Sequence, residues 1–258
     1  QLLHSTKTVH YRTADELNRL CTLFSSFFTD KIATLTRAVA SNAAFLAGLV
    51  FPDPHFIGNP LTALTPVTCE EVYKIITSMQ PKTSSVDYIP TSPLKSCPLV
   101  FSEIICKLAN LSFTEGVFPT MFKTAAVTPL IKKSGLDVDS PSNYRPISNL
   151  NNISQIHERL FLTRLQPHIL GSPHFNHLQS AYRPHHSTET ALLHSLNDIY
   201  SAADNSQPTL VVSLDLSAAF DTINHSILAS RLKTSFGISG TALSWITSYL
   251  SGRCQLVR

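Results

Sequence analysis

The chain has 258 residues, 43% hydrophobic and 14% charged, with a net charge of +3 and 11 histidines besides. This is enough for one large domain or two modest ones with a real core, and it excludes a disordered chain. The mild basicity is compatible with a nucleic-acid partner without requiring one.

The charge is unevenly spread. Every acidic residue lies at or before Asp221, and from Thr222 onward only Arg231, Lys233, Arg253 and Arg258 are charged. The cysteines are Cys21, Cys69, Cys97, Cys106 and Cys254, an odd number without a CxxC pair. That argues against a disulfide framework, a disulfide-linked partner and a zinc finger, and for an intracellular protein that is not secreted. The chain opens on Gln1 with no secretory leader pattern. Its longest apolar stretch, Ala38 to Phe51, contains Ser41 and Asn42 and is too short to span a membrane. The start without Met suggests a fragment.

Thr13-Ala-Asp-Glu16 reads as a capping box, followed at helical spacing by Leu17, Leu20, Phe24, Phe27, Phe28 and Ile32. This apolar stripe reads as core or as a packing surface. Residues 50–66 hold four prolines and read as a linker. Thr68-Cys-Glu-Glu71 is a second capping box, opening a helix whose apolar face is Val72, Ile75, Ile76 and Met79. Gln80 to Pro98 is rich in Pro, Ser and Thr and reads as loop. A helix is expected from Leu99 to Phe113, ending at Glu115-Gly116.

Ala125 to Ile131 reads as a strand, Lys132-Lys-Ser-Gly135 as a turn, and Tyr144 to Leu150 as a second extended run. Together they predict a β-hairpin with a long tip. Ser154 to Leu170 is an expected helix, with Ile156, Leu160 and Leu165 on one face, and Ser187 caps another running to about Ala202. Thr209 to Leu214 has the β-branched content of a buried strand and ends at Asp215. A turn with Phe220 and Asp221 follows, then a helix near Ile227 to Leu232. Gly237 and Gly240 break the chain before a last helix around Trp245 and Tyr249. No internal repeat is present.

A carboxylate at the end of a buried strand is well placed to hold a hard metal ion, since the strand fixes the backbone and its end opens to solvent. An aspartate there equally serves as a helix cap or turn residue. Three segments taken in order favour the first reading. They are Asn143-Tyr-Arg-Pro-Ile-Ser-Asn-Leu150, Gln179-Ser-Ala-Tyr-Arg-Pro-His-His-Ser-Thr188 and Ser213-Leu-Asp-Leu-Ser-Ala-Ala-Phe-Asp-Thr-Ile-Asn-His225. Their order and spacing resemble the fingers and palm motifs of reverse transcriptases from non-LTR (LINE-type, jockey-like) retrotransposons, which read NYRPISLL, Q-GFR-G-ST and LDLSKAFDTVDH. The resemblance extends to the capped helices before them and to WITSYLSGR near the end.

The resemblance implies an α+β chain. Residues 1–65 would form a helical N-terminal extension and linker, 66–124 a helical region leading into the fingers, and 125–258 the fingers and an incomplete palm of a right-hand polymerase fold. It also implies an RNA-directed DNA polymerase, a nucleotidyltransferase that uses two Mg²⁺ ions, an RNA template, a DNA primer and dNTP. Asp215 matches the first metal-binding aspartate, and Leu216 would offer its backbone carbonyl to the same metal pair. Phe220 matches the aromatic ring that excludes a 2′-hydroxyl from the incoming nucleotide; without the motif it would read as a core residue. Lys132 and Arg145 match the two basic contacts to the triphosphate, with Lys133 an equally good neighbour for the lysine role. Arg183 matches a fingers residue near the template, or plays a structural part.

The chain departs from the pattern at Ala181-Tyr182, which stand for Gly-Phe, and at His185, which stands for a glycine that permits close approach or positive φ. Gln155 and His157 stand where a lysine and an apolar residue are expected. The family's later Asp-Asp pair is absent, and no carboxylate follows Asp221. The expectation is therefore a polymerase fragment that is inactive alone. A binding module without chemistry and an unselected remnant of a mobile element are the alternatives. No HExxH, GxGxxG or GxxxxGK[ST] pattern suggests another enzyme class.

Overall fold

A computed structural model of the chain describes residues 13–46, 55–82 and 84–258. The elements in order are helix α1 (Ala14–Leu46), α2 (Cys69–Ser78), α3 (Thr91–Ser96), α4 (Pro98–Glu115), strand β1 (Thr124–Ile131), β2 (Tyr144–Leu150), α5 (Asn152–Leu170), α6 (Thr188–Asp204), α7 (His225–Thr234), α8 (Gly240–Leu250) and β3 (Cys254–Val257). The architecture is mixed, with helices around a small sheet of strand order β2-β1-β3. None of these helices is long and apolar enough to cross a membrane.

Helix starts follow their caps. The Thr13 hydroxyl accepts from the Glu16 amide while Glu16 reaches back to the Thr13 amide at 2.7 Å. Thr68 and Glu71 make the same reciprocal pair at α2, Asn151 caps α5, and Ser187 caps α6. Gly116 ends α4 in the left-handed conformation. Helix α3 falls inside the Gln80–Pro98 stretch expected as loop, because Leu94 finds a fully buried place in the core.

The main core lies between α2, α4, α5 and α8. Trp245 of α8, 1% exposed, is its largest member. It stacks on Phe161 at 4.3 Å, meets Phe113 and Phe118 edge-on, and its Nε1 donates to the Ser112 hydroxyl at 2.8 Å. Tyr249 of α8 donates to the half-buried Glu158 carboxylate of α5. Burial is the first cause of both shifts, pushing the Glu158 carboxyl and the Tyr249 phenol upward.

Residues 55–66, the described part of the expected linker, are tied into this core. Leu61 bridges to Ile238, its amide donates to Gly237 at 3.0 Å, and Leu64 is buried. Gly237 and Gly240 are more than chain breaks. Both have positive φ, and a Cβ would lie 2.2 Å from the Phe56 ring and 2.4 Å from the Thr62 carbonyl, respectively. Arg164 clamps the same segment, donating to Thr65 O, Pro66 O and both Glu71 oxygens.

The hairpin is antiparallel from Ala125↔Leu150 to Ile131↔Tyr144. Strand β3, which local pattern did not signal, lies parallel to β1 from Thr124↔Cys254 to Val127↔Val257. The stripe on α1 covers one sheet face: Phe24 and Phe28 pack on Val127, and Phe24 meets Tyr144 edge-on at 4.8 Å. Burying each of those phenylalanines is worth about 1.5–3 kcal/mol.

Thr209 to Leu214 corrects an expectation. It is neither a strand nor buried, since Leu210 and Leu214 are 88% and 87% exposed. Its β-branched residues suit a strand, but a strand also needs a neighbour to bond, and the three described strands pair only with one another.

His157, in place of an apolar residue, is fully buried against Phe118 and Phe122. Its Nδ1 pairs with Ile153 O at 2.9 Å while Nε2 has no partner. Burial lowers its pKa, and the Ile153 bond opposes this only in part. The folded state therefore keeps His157 neutral while the unfolded chain takes up a proton, so stability is lost as pH falls through about 6.5. In His157→Leu, that fall should flatten in thermal melts between pH 7.5 and 5.5. The variant should also gain about 1 kcal/mol at pH 7 by removing an unsatisfied polar atom. An unchanged pH profile would contradict the assignment.

Candidate functional site

The hairpin presents two faces of different character. Alternation along β1 and β2 puts Val127, Tyr144 and Pro146 toward α1, and Ala126, Thr128, Leu130 and Arg145 on the opposite face. Lys132 continues that second face: its amide donates to Asn143 O at 2.9 Å, one step beyond the Ile131↔Tyr144 pair. Lys132 Nζ donates to Ser142 O at 2.6 Å. Lys132 and Arg145 thus share one open sheet face, while Lys133 is exposed in the turn. The tip is fastened by Asn143 Nδ2 to Asp137 O and by Tyr144 OH to Val138 O.

The far end of the same face carries Lys82, Gln155 and Arg258 around a cavity of about 280 Å³. No motif singles these residues out. They meet because α5 begins at the hairpin's end and the Arg258 amide donates to Val127 O at 3.0 Å.

Asp215 ends an unpaired extended segment rather than a strand, and it is exposed. Leu216, the expected carbonyl donor, is 76% exposed. Ala218 then takes φ +51°, and the amides of Asp221 and Thr222 both donate to its carbonyl, closing a turn. Phe220 on that turn is 70% exposed and meets Tyr182 edge-on at 6.0 Å, so it is not a core residue. Ala218 and Asp221 line a cavity of about 470 Å³ with Phe27 and Phe28 of α1 and Tyr144 and Pro146 of β2. That is the face opposite Lys132 and Arg145. The structure thus brings the two basic residues together and keeps the Asp221 turn apart from them. Among the described residues, no three histidine, cysteine, aspartate or glutamate side chains are grouped to hold a metal ion.

Arg183 is engaged within its own loop. Its Nη1 donates to His177 O at 2.6 Å and Gln179 O at 3.0 Å, and its guanidinium lies 5.4 Å from the Phe175 ring. Two non-glycine residues of this loop are left-handed: Tyr182 at φ +61° and His185 at φ +63°. His185 thus adopts the conformation for which a glycine is expected there.

Residues 131–258 match the family model described as reverse transcriptase (RNA-dependent DNA polymerase). The chain is 30% identical over 196 residues, 76% of its length, to the probable RNA-directed DNA polymerase from transposon BS of Drosophila melanogaster. It is 29% identical over 187 residues, 71% of its length, to the RNA-directed DNA polymerase from mobile element jockey of the same organism. It is 28% identical over 196 residues, 75% of its length, to the Pol polyprotein from the type-1 retrotransposable element R2 of Popillia japonica. The chain spans about a fifth of the first two relatives, 21% and 20%, and 26% of the third.

His185→Gly tests the strain in the Arg183 loop. The left-handed conformation costs a non-glycine residue roughly 1–2 kcal/mol, and glycine's extra unfolded-state freedom costs roughly 0.5–1 kcal/mol. The variant should therefore be about as stable as the parent or up to ~1 kcal/mol more stable in urea unfolding. A clear loss would contradict the loop geometry.

Proposed function

Because the chain belongs to the reverse transcriptases of non-LTR retrotransposons, we propose that it supplies the nucleotide-gripping hairpin and first metal-binding aspartate of an RNA-directed DNA polymerase. The observation that carries this is the family match over residues 131–258 together with Lys132 and Arg145 on one open sheet face. Residues 1–65 precede the fingers as an N-terminal extension, residues 66–124 lead into the fingers, and residues 125–258 are the fingers and part of the palm. The partners are an RNA template, a DNA primer and dNTP, at an intracellular location.

In this reading Lys132 and Arg145 hold the triphosphate. Lysine acts as a point charge and arginine as a fork that spans two phosphate oxygens. Phe220 lies under the sugar, where a rigid ring leaves no room for a 2′-hydroxyl. Arg183 holds the loop that faces the template, since its guanidinium is committed to His177 and Gln179.

Two Mg²⁺ ions need several hard oxygen donors. Asp215 and the Leu216 carbonyl are two, and the described residues group no three acidic or histidine side chains for an ion. The donors present do not fit a metal pair, so no reaction step is assigned to this chain by itself. A second reading, nucleic-acid binding without chemistry, is favoured by a basic face that stands assembled while the Asp215 segment does not.

The purified chain should not extend a primer on RNA with Mg²⁺ and dNTP. A chimera in which residues 131–258 replace the matching segment of the jockey polymerase should extend it, and Asp215→Ala should abolish that activity. Phe220→Ala in the chimera should raise ribonucleotide incorporation by about 10- to 100-fold. Full activity of the Asp215→Ala chimera would contradict the metal-binding role, and unchanged sugar selection would contradict the role of Phe220.

A further inference from the structure

We propose that Cys69 and Cys106 form a peroxide-sensitive thiol pair, in which Cys69 is oxidised and Cys106 resolves it to a reversible disulfide between α2 and α4. The pair lies in the helical region ahead of the hairpin, outside the three motifs, and it does not depend on the polymerase reading.

Helices α2 and α4 pack along one another and carry one of these thiols each. Cys106 is buried on α4, and its thiol donates to the Val67 carbonyl at 3.2 Å. The same carbonyl accepts from Asn110 Nδ2 at 2.9 Å, and the Val67 amide donates to Asn110 Oδ1 at 2.6 Å. Val67 is thus pinned against one turn of α4, and Cys69 opens α2 just beyond it. Cys69 and Tyr73, one turn apart on α2, face Leu99, Ser102 and Glu103 of α4 across a cavity of about 320 Å³. Ser102 and Cys106 are themselves one turn apart on α4, so Cys106 stands on the next turn of the face that Cys69 meets. Burial first, and then a hydrogen bond to the Cys69 thiol, push the Cys106 thiol up to about 11. The two thiols are therefore neighbours of opposite character: Cys69 is exposed, and Cys106 is buried and held protonated.

That asymmetry assigns the roles, because the exposed thiol meets an oxidant first. Glu70 and Glu103 also line the cavity, so a neutral hydroperoxide enters it more readily than an anionic disulfide. The Cys69 thiolate attacks one oxygen of hydrogen peroxide and the O–O bond breaks. Cys69 becomes a sulfenic acid, and the leaving hydroxide takes a proton to become water. The Cys106 sulfur then attacks the Cys69 sulfur. The S–S bond forms, the S–O bond breaks, and the Cys106 proton leaves with the hydroxyl group as a second water. Two thiols lose two electrons and one peroxide gains them. An added dithiol reverses the change by thiol–disulfide exchange. The bond ties the first turn of α2 to α4 and closes the loop that carries α3. A transient disulfide of this kind is the form that redox sensing takes in a reducing compartment.

The test is peptide mapping of the full 258-residue chain carrying Cys97→Ser, after treatment with hydrogen peroxide. That substitution leaves one cysteine in each of the tryptic peptides 38–74 and 96–107. The two peptides should be recovered cross-linked, and dithiothreitol should release them. The cross-linked chain should melt about 5–10 °C above the reduced one. Cys69→Ser, at an exposed position, should abolish the cross-link and the shift while leaving the reduced melting temperature unchanged. In Cys106→Ala the sulfenic acid on Cys69 should persist and react with dimedone, whereas Cys69 of the parent should take up little. The mapping requires no substitution at either thiol, so it stays decisive even if Cys106→Ala misfolds. Absence of the cross-link between 38–74 and 96–107 overturns the proposal, as does dimedone labelling of Cys69 in the parent equal to that in Cys106→Ala.

Discussion

The placement of α8, and with it of β3, depends on Trp245. Its ring stacks on Phe161, meets Phe113 and Phe118 edge-on, and its single donor is satisfied by Ser112. Those contacts fix α8 against α4 and α5 in one dry cluster. The chain leaves α8 through Ser251 and Gly252, and Arg253 lies 4.5 Å from the Tyr249 ring while bonding its carbonyl. Strand β3 can then only run beside β1. Fixing β3 sets where Arg258 falls, and fixing α5 sets where Gln155 falls. A buried aromatic stack thus determines the basic face of a sheet whose strands it does not join.

The sheet itself is small and two-faced. One face is partly covered by α1, whose Phe24 and Phe28 pack on Val127 of β1. The other stays open and collects positive charge from segments distant in sequence. This division explains why Asp221 and Arg145 are not neighbours although they stand in the first and third of the three segments: the parity of β2 sends Tyr144 and Pro146 to the α1 side and Arg145 away from it. The hairpin is assembled from its own bonds, while the Asp215 segment has no ladder partner.

Much of this was legible in the sequence. The capping boxes at Thr13, Thr68 and Ser187 located helix starts because side-chain caps act over three residues. The hairpin was legible from two β-rich runs around a polar tip. Long-range placement was not. Leu61 and Leu64 looked like linker among prolines, yet they are tied to Ile238 and the core, a contact no local pattern encodes. Strand β3 has no strong signature and exists because α8 delivers it to β1. Thr209 to Leu214 failed in the opposite way: its local preference is strand-like, but preference without a partner leaves amides unpaired. At the site, Lys132 and Arg145 were found by motif. Lys82, Gln155 and Arg258 were not, because only the fold brings them together.

A prebuilt basic sheet and an unassembled Asp215 segment coexist in one chain. Backbone amide hydrogen exchange on the purified protein tests this most directly. Strong protection is expected across Ala125 to Leu130, where β1 is paired on both sides or on one, with fast exchange from Leu210 to Leu216. Protection of Leu210 to Leu214 equal to that of β1 would contradict it.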